Sequence, residues 1–200
     1  MNDSPLIVFL YSAIALYLGY LYRCDIKAFC SGLHNSKSLP GAMPISFMLV
    51  SFSILAGAFL LANAVLGEYA LGLVELQNDM VWFFLFAALS AGVIEELIFR
   101  GYLVIENKGS KVLVLSCIGF SFLFALIHPN LWSFDGGFHW IFSTKAFYDT
   151  WILVLNSIIF YGLRFGPWNP LRSIFPSMIA HGAFNFGVFG VKWFQGYIVF

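Results

Sequence analysis

Apolar stretches of about 17 residues or more recur along this sequence and constrain its fold more than any other feature. Six candidate spans lie at about residues 5–22, 44–66, 80–105, 111–128, 149–164 and 172–190. A helix rises 1.5 Å per residue, so about 20 residues cross roughly 30 Å of hydrocarbon. Only 10% of the residues are charged, whereas a soluble domain carries about 25%. The sequence therefore predicts an all-α fold, a polytopic transmembrane bundle that forms a single integral membrane domain over residues 1–200.

Basic residues collect at alternate ends of these spans. If the N-terminus lies outside, the inner side holds eight of them and the outer side two, namely Arg23, Lys27, Lys37, Arg100, Lys108, Lys111, Arg164 and Arg172 against Lys145 and Lys192. The positive-inside rule then predicts that both termini lie on the outer side of a bacterial-type cytoplasmic membrane. The net charge is zero, which gives no electrostatic footprint for nucleic acid.

Five ionisable residues lie inside the spans: Glu95, Glu96, Arg100, His128 and His181. Such groups are costly in a bilayer unless they are paired or face water, so each is a candidate functional residue. Glu96 and Arg100 are four positions apart and can pair on one helix face, which could be a purely structural role. Glu95 points about 100° away and is therefore a candidate general base, or else a protonated group bonded to nearby backbone.

Two further polar groups follow along the chain. His128 ends FALIH, one turn after Phe124, and Pro129 disfavours helix at the preceding residue. Its ring could reach across the bundle or lie at the interface. His181 and Asn185 in HGAFN share one helix face. Together they could stabilise an oxyanion, or they could be interhelical hydrogen-bonding groups.

The motifs EELIFR, FALIH and HGAFN occur in this order on three successive spans. Together they resemble the CAAX-protease and bacteriocin-processing family, also called the CPBP or ABI family. Its signatures Glu-Glu-x-x-x-Arg, Phe-x-x-x-His and His-x-x-x-Asn are matched without substitution. The resemblance covers about residues 80–190, which we treat as the catalytic core, while the first two spans carry no recognisable signature.

The resemblance implies a glutamic-type intramembrane endopeptidase. Glu95 would activate a water with help from His128, and His181 and Asn185 would bind the developing oxyanion. Glu96, Arg100 and Phe124 would support the site. The resemblance implies no cofactor and no metal, and the expected partners are the lipid bilayer and a membrane-associated peptide or protein substrate.

Two other interpretations stay open at this point. His128, His181 and a glutamate could form a zinc site, although no H-E-x-x-H motif is present. The chain could also be a non-catalytic immunity or partner-binding membrane protein. One geometric question also stays open, because the span limits place Glu95 near mid-membrane and His128 near the outer end of its span.

Overall fold

Six long helices make up most of the chain in the computed structural model, which describes residues 4–33 and 37–200. The helices are α1 Pro5–Cys30, α2 Phe47–Ala70, α3 Phe84–Glu96, α4 Ser110–Ile127, α5 Thr144–Phe165 and α6 Phe175–Gln195. A π-helical turn, Leu97–Tyr102, continues α3 without a break. The predicted all-α bundle is confirmed.

Four of these helices, α1, α2, α4 and α5, are long and apolar enough to span a membrane. Their outward faces carry large apolar side chains, for example Leu16 with 77% and Phe47 with 84% of its surface exposed. Exposure of so large a contiguous apolar surface is unfavourable in water, whereas contact of the same surface with lipid is not. The protein is therefore an integral membrane protein. The other two long helices, α3 and α6, carry most of the polar groups discussed below.

Three predicted span limits differ clearly from the observed helices. α1 continues to Cys30 instead of ending near residue 22, because Tyr22 and Ile26 pack into an apolar cluster with Ala42 and Leu97. α5 begins at Thr144 rather than 149. The Oγ of Ser143 accepts the Ala146 N–H at 3.1 Å and caps the helix there.

The third difference is at the end of α6, which runs to Gln195 instead of about residue 190. Gly196 ends the helix with a left-handed backbone, φ 84°, a conformation that glycine adopts without a Cβ clash. The short strand β4, Ile198–Val199, then pairs in parallel with β1, Met80–Val81. This pairing joins the C-terminal segment to the chain that leads into α3.

The loop between α4 and α5 folds as a hairpin of β2, Trp132–Ser133, and β3, His139–Trp140. Its aromatic rings contact one another in series, from Trp132 through Phe134 and Phe138 to Trp140. Phe134 and Phe138 are exposed. Apolar ring bodies with wet edges suit the membrane–water interface.

α6 is packed against α2, α3 and α5 and holds the bundle together. Two glycines allow its backbone to approach closely. A Cβ on Gly57 of α2 would lie 2.6 Å from the Ala180 carbonyl oxygen, and one on Gly92 of α3 would lie 3.2 Å from the Gly182 nitrogen. Small residues at helix contacts are typical of membrane bundles. These contacts fix the position of the α6 turn that carries His181.

Gly57→Ala should therefore destabilise the protein, because the new methyl group meets α6 backbone that cannot rotate away. We expect a loss of about 1–3 kcal/mol in the free energy of unfolding, measured by thermal unfolding in detergent. Gly19→Ala is the matched control, since nothing lies within 4 Å of its Cβ position. Equal melting temperatures for the two variants would show that α2 and α6 are not closely packed.

Candidate active site

The two adjacent glutamates at the end of α3 have different surroundings. Glu96 has no exposed surface, whereas Glu95 is partly exposed and lines a cavity. Successive helix positions point about 100° apart, so the two carboxylates cannot share one environment. The structure separates a carboxylate that is enclosed by protein, Glu96, from one that faces a cavity, Glu95.

The Glu96 carboxylate is held by side chains from two directions. Arg100 Nη1 lies 3.1 Å from Glu96 Oε1, and His181 Nδ1 from α6 lies 2.9 Å from the same oxygen. An ionised carboxylate accepts hydrogen bonds and cannot donate them, so His181 Nδ1 carries the proton. The Glu96–Arg100 pair predicted from the four-residue spacing is confirmed. The contact with His181, 85 residues away, was not predicted.

Arg100 is fully buried and is surrounded by aromatic rings. Its guanidinium carbon lies 4.9 Å from the Phe124 and Tyr161 ring centroids and 5.2 Å from that of Phe160. None of its guanidinium nitrogens has a hydrogen-bond partner among the described residues. The cation is therefore stabilised by the charge of Glu96 and by the ring faces.

A cavity of about 540 Å³ lies beside this buried pair. It is lined by Glu95, His128, His181 and Asn185, the four residues for which the sequence predicts a catalytic role, and also by Phe124. Most of the other lining side chains are apolar, so the cavity is an apolar pocket with a few polar groups, as small-molecule and substrate sites commonly are. The structure thus brings together residues from α3, α4 and α6.

His128 reaches the cavity because the chain turns at this residue. α4 ends at Ile127, and His128 has an extended backbone, φ −78° and ψ 131°, as expected before proline. Its Nδ1 donates to the Phe124 carbonyl oxygen at 2.7 Å, and its ring lies 4.7 Å from the Phe124 ring. Nε2 is therefore the nitrogen that is free to accept a proton. Glu95 and His128 line the same cavity, although the predicted span limits place them at different depths.

The Asn185 side chain joins α6 to α3. Its Nδ2 donates to the Ala88 carbonyl oxygen at 2.7 Å. An amide nitrogen carries two N–H groups, so one remains for another acceptor. The structure shows an interhelical hydrogen bond at this residue and leaves a donor beside the cavity.

Two polar residues of the cavity are not among the site residues predicted from the sequence. Tyr11 comes from α1, which carries no recognisable motif, and Asn156 comes from α5. The available signal for Asn156 was an isolated amide in the apolar run WILVLNSIIF. A polar residue in such a run usually faces the interior of a bundle.

The described residues contain no group of three or more His, Cys, Asp or Glu side chains placed to hold a metal ion. His181 and Glu96, two of the residues that a zinc site would use, are occupied with each other at 2.9 Å.

A comparison with known proteins identifies the family of the chain. A family model described as "Type II CAAX prenyl endopeptidase Rce1-like" matches residues 77–187. The matched region contains all three motifs. No curated protein and no solved structure matches the chain.

Arg100→Met should leave the Glu96 carboxylate buried without its cation. Breaking a buried ion pair typically costs about 3–5 kcal/mol, so we expect a large fall in the melting temperature. Adding Glu96→Gln should restore part of the loss, because no unpaired charge is then buried. Thermal unfolding in detergent measures both effects.

The matched control for this pair is Lys108→Ala, because Lys108 is exposed and such changes are usually within about 0.5 kcal/mol. An Arg100→Met protein as stable as the wild type would contradict a buried charge pair. So would a double variant that is less stable than Arg100→Met alone.

Proposed function

Because the chain belongs to the Rce1-like family of type II CAAX prenyl endopeptidases, we propose that it is an intramembrane endopeptidase that uses a glutamate-activated water. The observation that carries this proposal is the position of Glu95. It lines the cavity together with His128, His181 and Asn185, and its Oε2 is buried without a hydrogen-bond partner among the described residues. A carboxylate oxygen without a hydrogen-bond partner, placed in a cavity beside an imidazole, is positioned to act as a general base.

In this proposal Glu95 and His128 activate the water. Glu95 accepts one proton as the water oxygen attacks the carbonyl carbon of the scissile bond, and His128 Nε2 orients the same water. The proton then passes to the leaving amine nitrogen as the C–N bond breaks. General acid–base catalysis of this kind contributes about 10²–10⁴-fold.

His181 and Asn185 bind the oxygen that becomes negative in the transition state. Asn185 offers the N–H that Ala88 does not use. His181 donates to Glu96 through Nδ1, so its Nε2 donates to the oxyanion when the ring is an imidazolium. Hydrogen bonds of this type can be the largest single contribution to hydrolysis.

Glu96, Arg100 and Phe124 position these groups. Glu96 fixes the His181 ring, and Arg100 balances the charge of Glu96. Phe124 contacts the Arg100 guanidinium, the His128 ring and the His181 ring. A change at these residues should disturb the geometry rather than remove a proton carrier.

The proposed substrate is a membrane-associated peptide or protein, with a prenylated C-terminal peptide as the first class to test. The family description supplies this class, and the apolar lining fits a lipid chain or apolar side chains. The proposed entry is from the outer side of the membrane. The cavity is lined by the first turns of α1, at Ile7 and Val8, and by the later turns of α6, at Val188 and Phe189, and these ends lie outside in the predicted topology.

Glu95→Gln tests the proposal directly, because the amide keeps the size of the side chain but cannot accept a proton from water. We expect a folded protein that still binds substrate and hydrolyses it at least about 10²-fold more slowly. The assay uses purified protein in liposomes with two quenched fluorescent peptides. One has a farnesylated cysteine in a C-terminal tetrapeptide, and the other is an unmodified apolar membrane peptide.

Glu75→Gln is the matched control, since Glu75 is exposed and outside the cavity, and it should retain full activity. Retained hydrolysis by Glu95→Gln would remove Glu95 from the mechanism. Loss of wild-type activity with a chelator, restored by zinc, would favour a metal enzyme. Binding without hydrolysis by the wild-type protein would favour a non-catalytic role.

A further inference from the structure

Asn156 lies on α5 one helical turn before Phe160, the residue whose ring stacks on His181 at 5.0 Å. It lines the cavity together with Leu153 and Phe160, which share its helix face at three and four positions away. A helical turn advances about 5.4 Å. Asn156 therefore lies one turn from a residue that contacts His181 of the proposed oxyanion site, and it lines the same cavity.

The Asn156 side chain is almost fully buried, since only 3% of the residue is exposed. Its Oδ1 has no hydrogen-bond partner among the described residues. Buried polar atoms are nearly always paired, and each exception calls for a physical explanation. Neither the three motifs nor the proposed mechanism uses this residue.

Asn169 provides a comparison, because it is a buried asparagine with a structural role. It is 2% exposed, and its Nδ2 donates to the carbonyl oxygens of Leu163, Arg164 and Ser173 at 2.9, 3.1 and 2.8 Å. Its Oδ1 accepts the Ser173 N–H at 3.1 Å. Asn169 stabilises a turn through these hydrogen bonds, whereas the similarly buried Asn156 Oδ1 has no hydrogen-bond partner in the described part of the chain.

A peptide substrate inside the membrane needs hydrogen-bond partners, and the side-chain amide of Asn156 can supply them. Peptide N–H and C=O groups that leave water must find partners, because an unsatisfied group costs several kcal/mol in an apolar medium. The cavity is mostly apolar and supplies few such partners. A side-chain amide has one acceptor and two donors, so it can pair with a peptide group as another backbone would.

We propose that Asn156 is a substrate-binding residue whose side-chain amide pairs with a backbone peptide group of the substrate next to the scissile bond. This inference rests on the proposed function and extends it. It assigns the substrate an extended segment at this point, since the N–H and C=O groups of a helix are already paired within the helix. Asn156 Oδ1 accepts the substrate N–H.

The first test compares the stability of two variants without any substrate. Asn156→Leu removes an unsatisfied polar group at similar size, so it should raise the melting temperature by about 2–4 °C. Asn169→Leu breaks a fully bonded amide and should lower it. A fall for Asn156→Leu like that for Asn169→Leu would overturn the proposal, because it would show that Asn156 has a structural role.

The second test measures binding of the farnesylated peptide to protein that carries Glu95→Gln, so hydrolysis is not needed. In a series of probes, each peptide N–H beside the scissile bond is replaced in turn by an ester oxygen. One replacement should weaken binding about tenfold when Asn156 is present, and less than about twofold in Asn156→Leu.

Equal effects of that ester in both proteins, or no effect at any position, would overturn the proposal. Wild-type protein that binds the peptide but does not cut it would contradict the proposed hydrolysis and leave the Asn156 contact standing. The two failures are therefore distinguishable.

Discussion

The buried carboxylate of Glu96 is the interaction on which the rest of the site depends. It has no exposed surface, and it meets the guanidinium of Arg100 and the imidazole of His181 at one oxygen. A charge buried without partners would cost several kcal/mol in this environment. The carboxylate has its partners because the end of α3, the following π-helical turn and α6 lie next to one another. Moving any one of the three would separate the pair or release His181.

Backbone geometry makes this meeting possible. The π-helical turn Leu97–Tyr102 directly follows Glu96 and contains Arg100, and such turns are frequent at functional sites. Gly92 allows α3 to approach the α6 backbone near Gly182, the neighbour of His181. The Phe160 ring stacks on the His181 ring, with the centroids 5.0 Å apart. Because Glu96 is held by Arg100 and His181, Glu95 is the carboxylate that acts as the base in the proposed mechanism.

Part of this site could be predicted from the sequence because it depends on local periodicity. The Glu96–Arg100 pair follows from a four-residue spacing, and the separate direction of Glu95 follows from 100° per residue. The contact between His181 and Glu96 could not be predicted, because it depends on how two helices are rotated against each other. α1 is also longer than the span predicted from the sequence, because its last turns are held by contacts with the distant residues Ala42 and Leu97. Asn156 lies outside all three motifs. The feature that identifies it as a candidate is a buried amide oxygen without a hydrogen-bond partner among the described residues.

The most direct test of the proposed mechanism is a crystal or cryo-EM structure of the Glu95→Gln protein with a bound membrane peptide. We expect the peptide to lie in the cavity, with its scissile carbonyl carbon within about 6 Å of residue 95 and His128, the reach of one bridging water. The carbonyl oxygen should point toward His181 and Asn185, while Glu96 keeps its contacts with Arg100 and His181. A peptide bound outside the cavity would contradict the mechanism, and so would a Glu96 that has left Arg100 to contact the scissile bond.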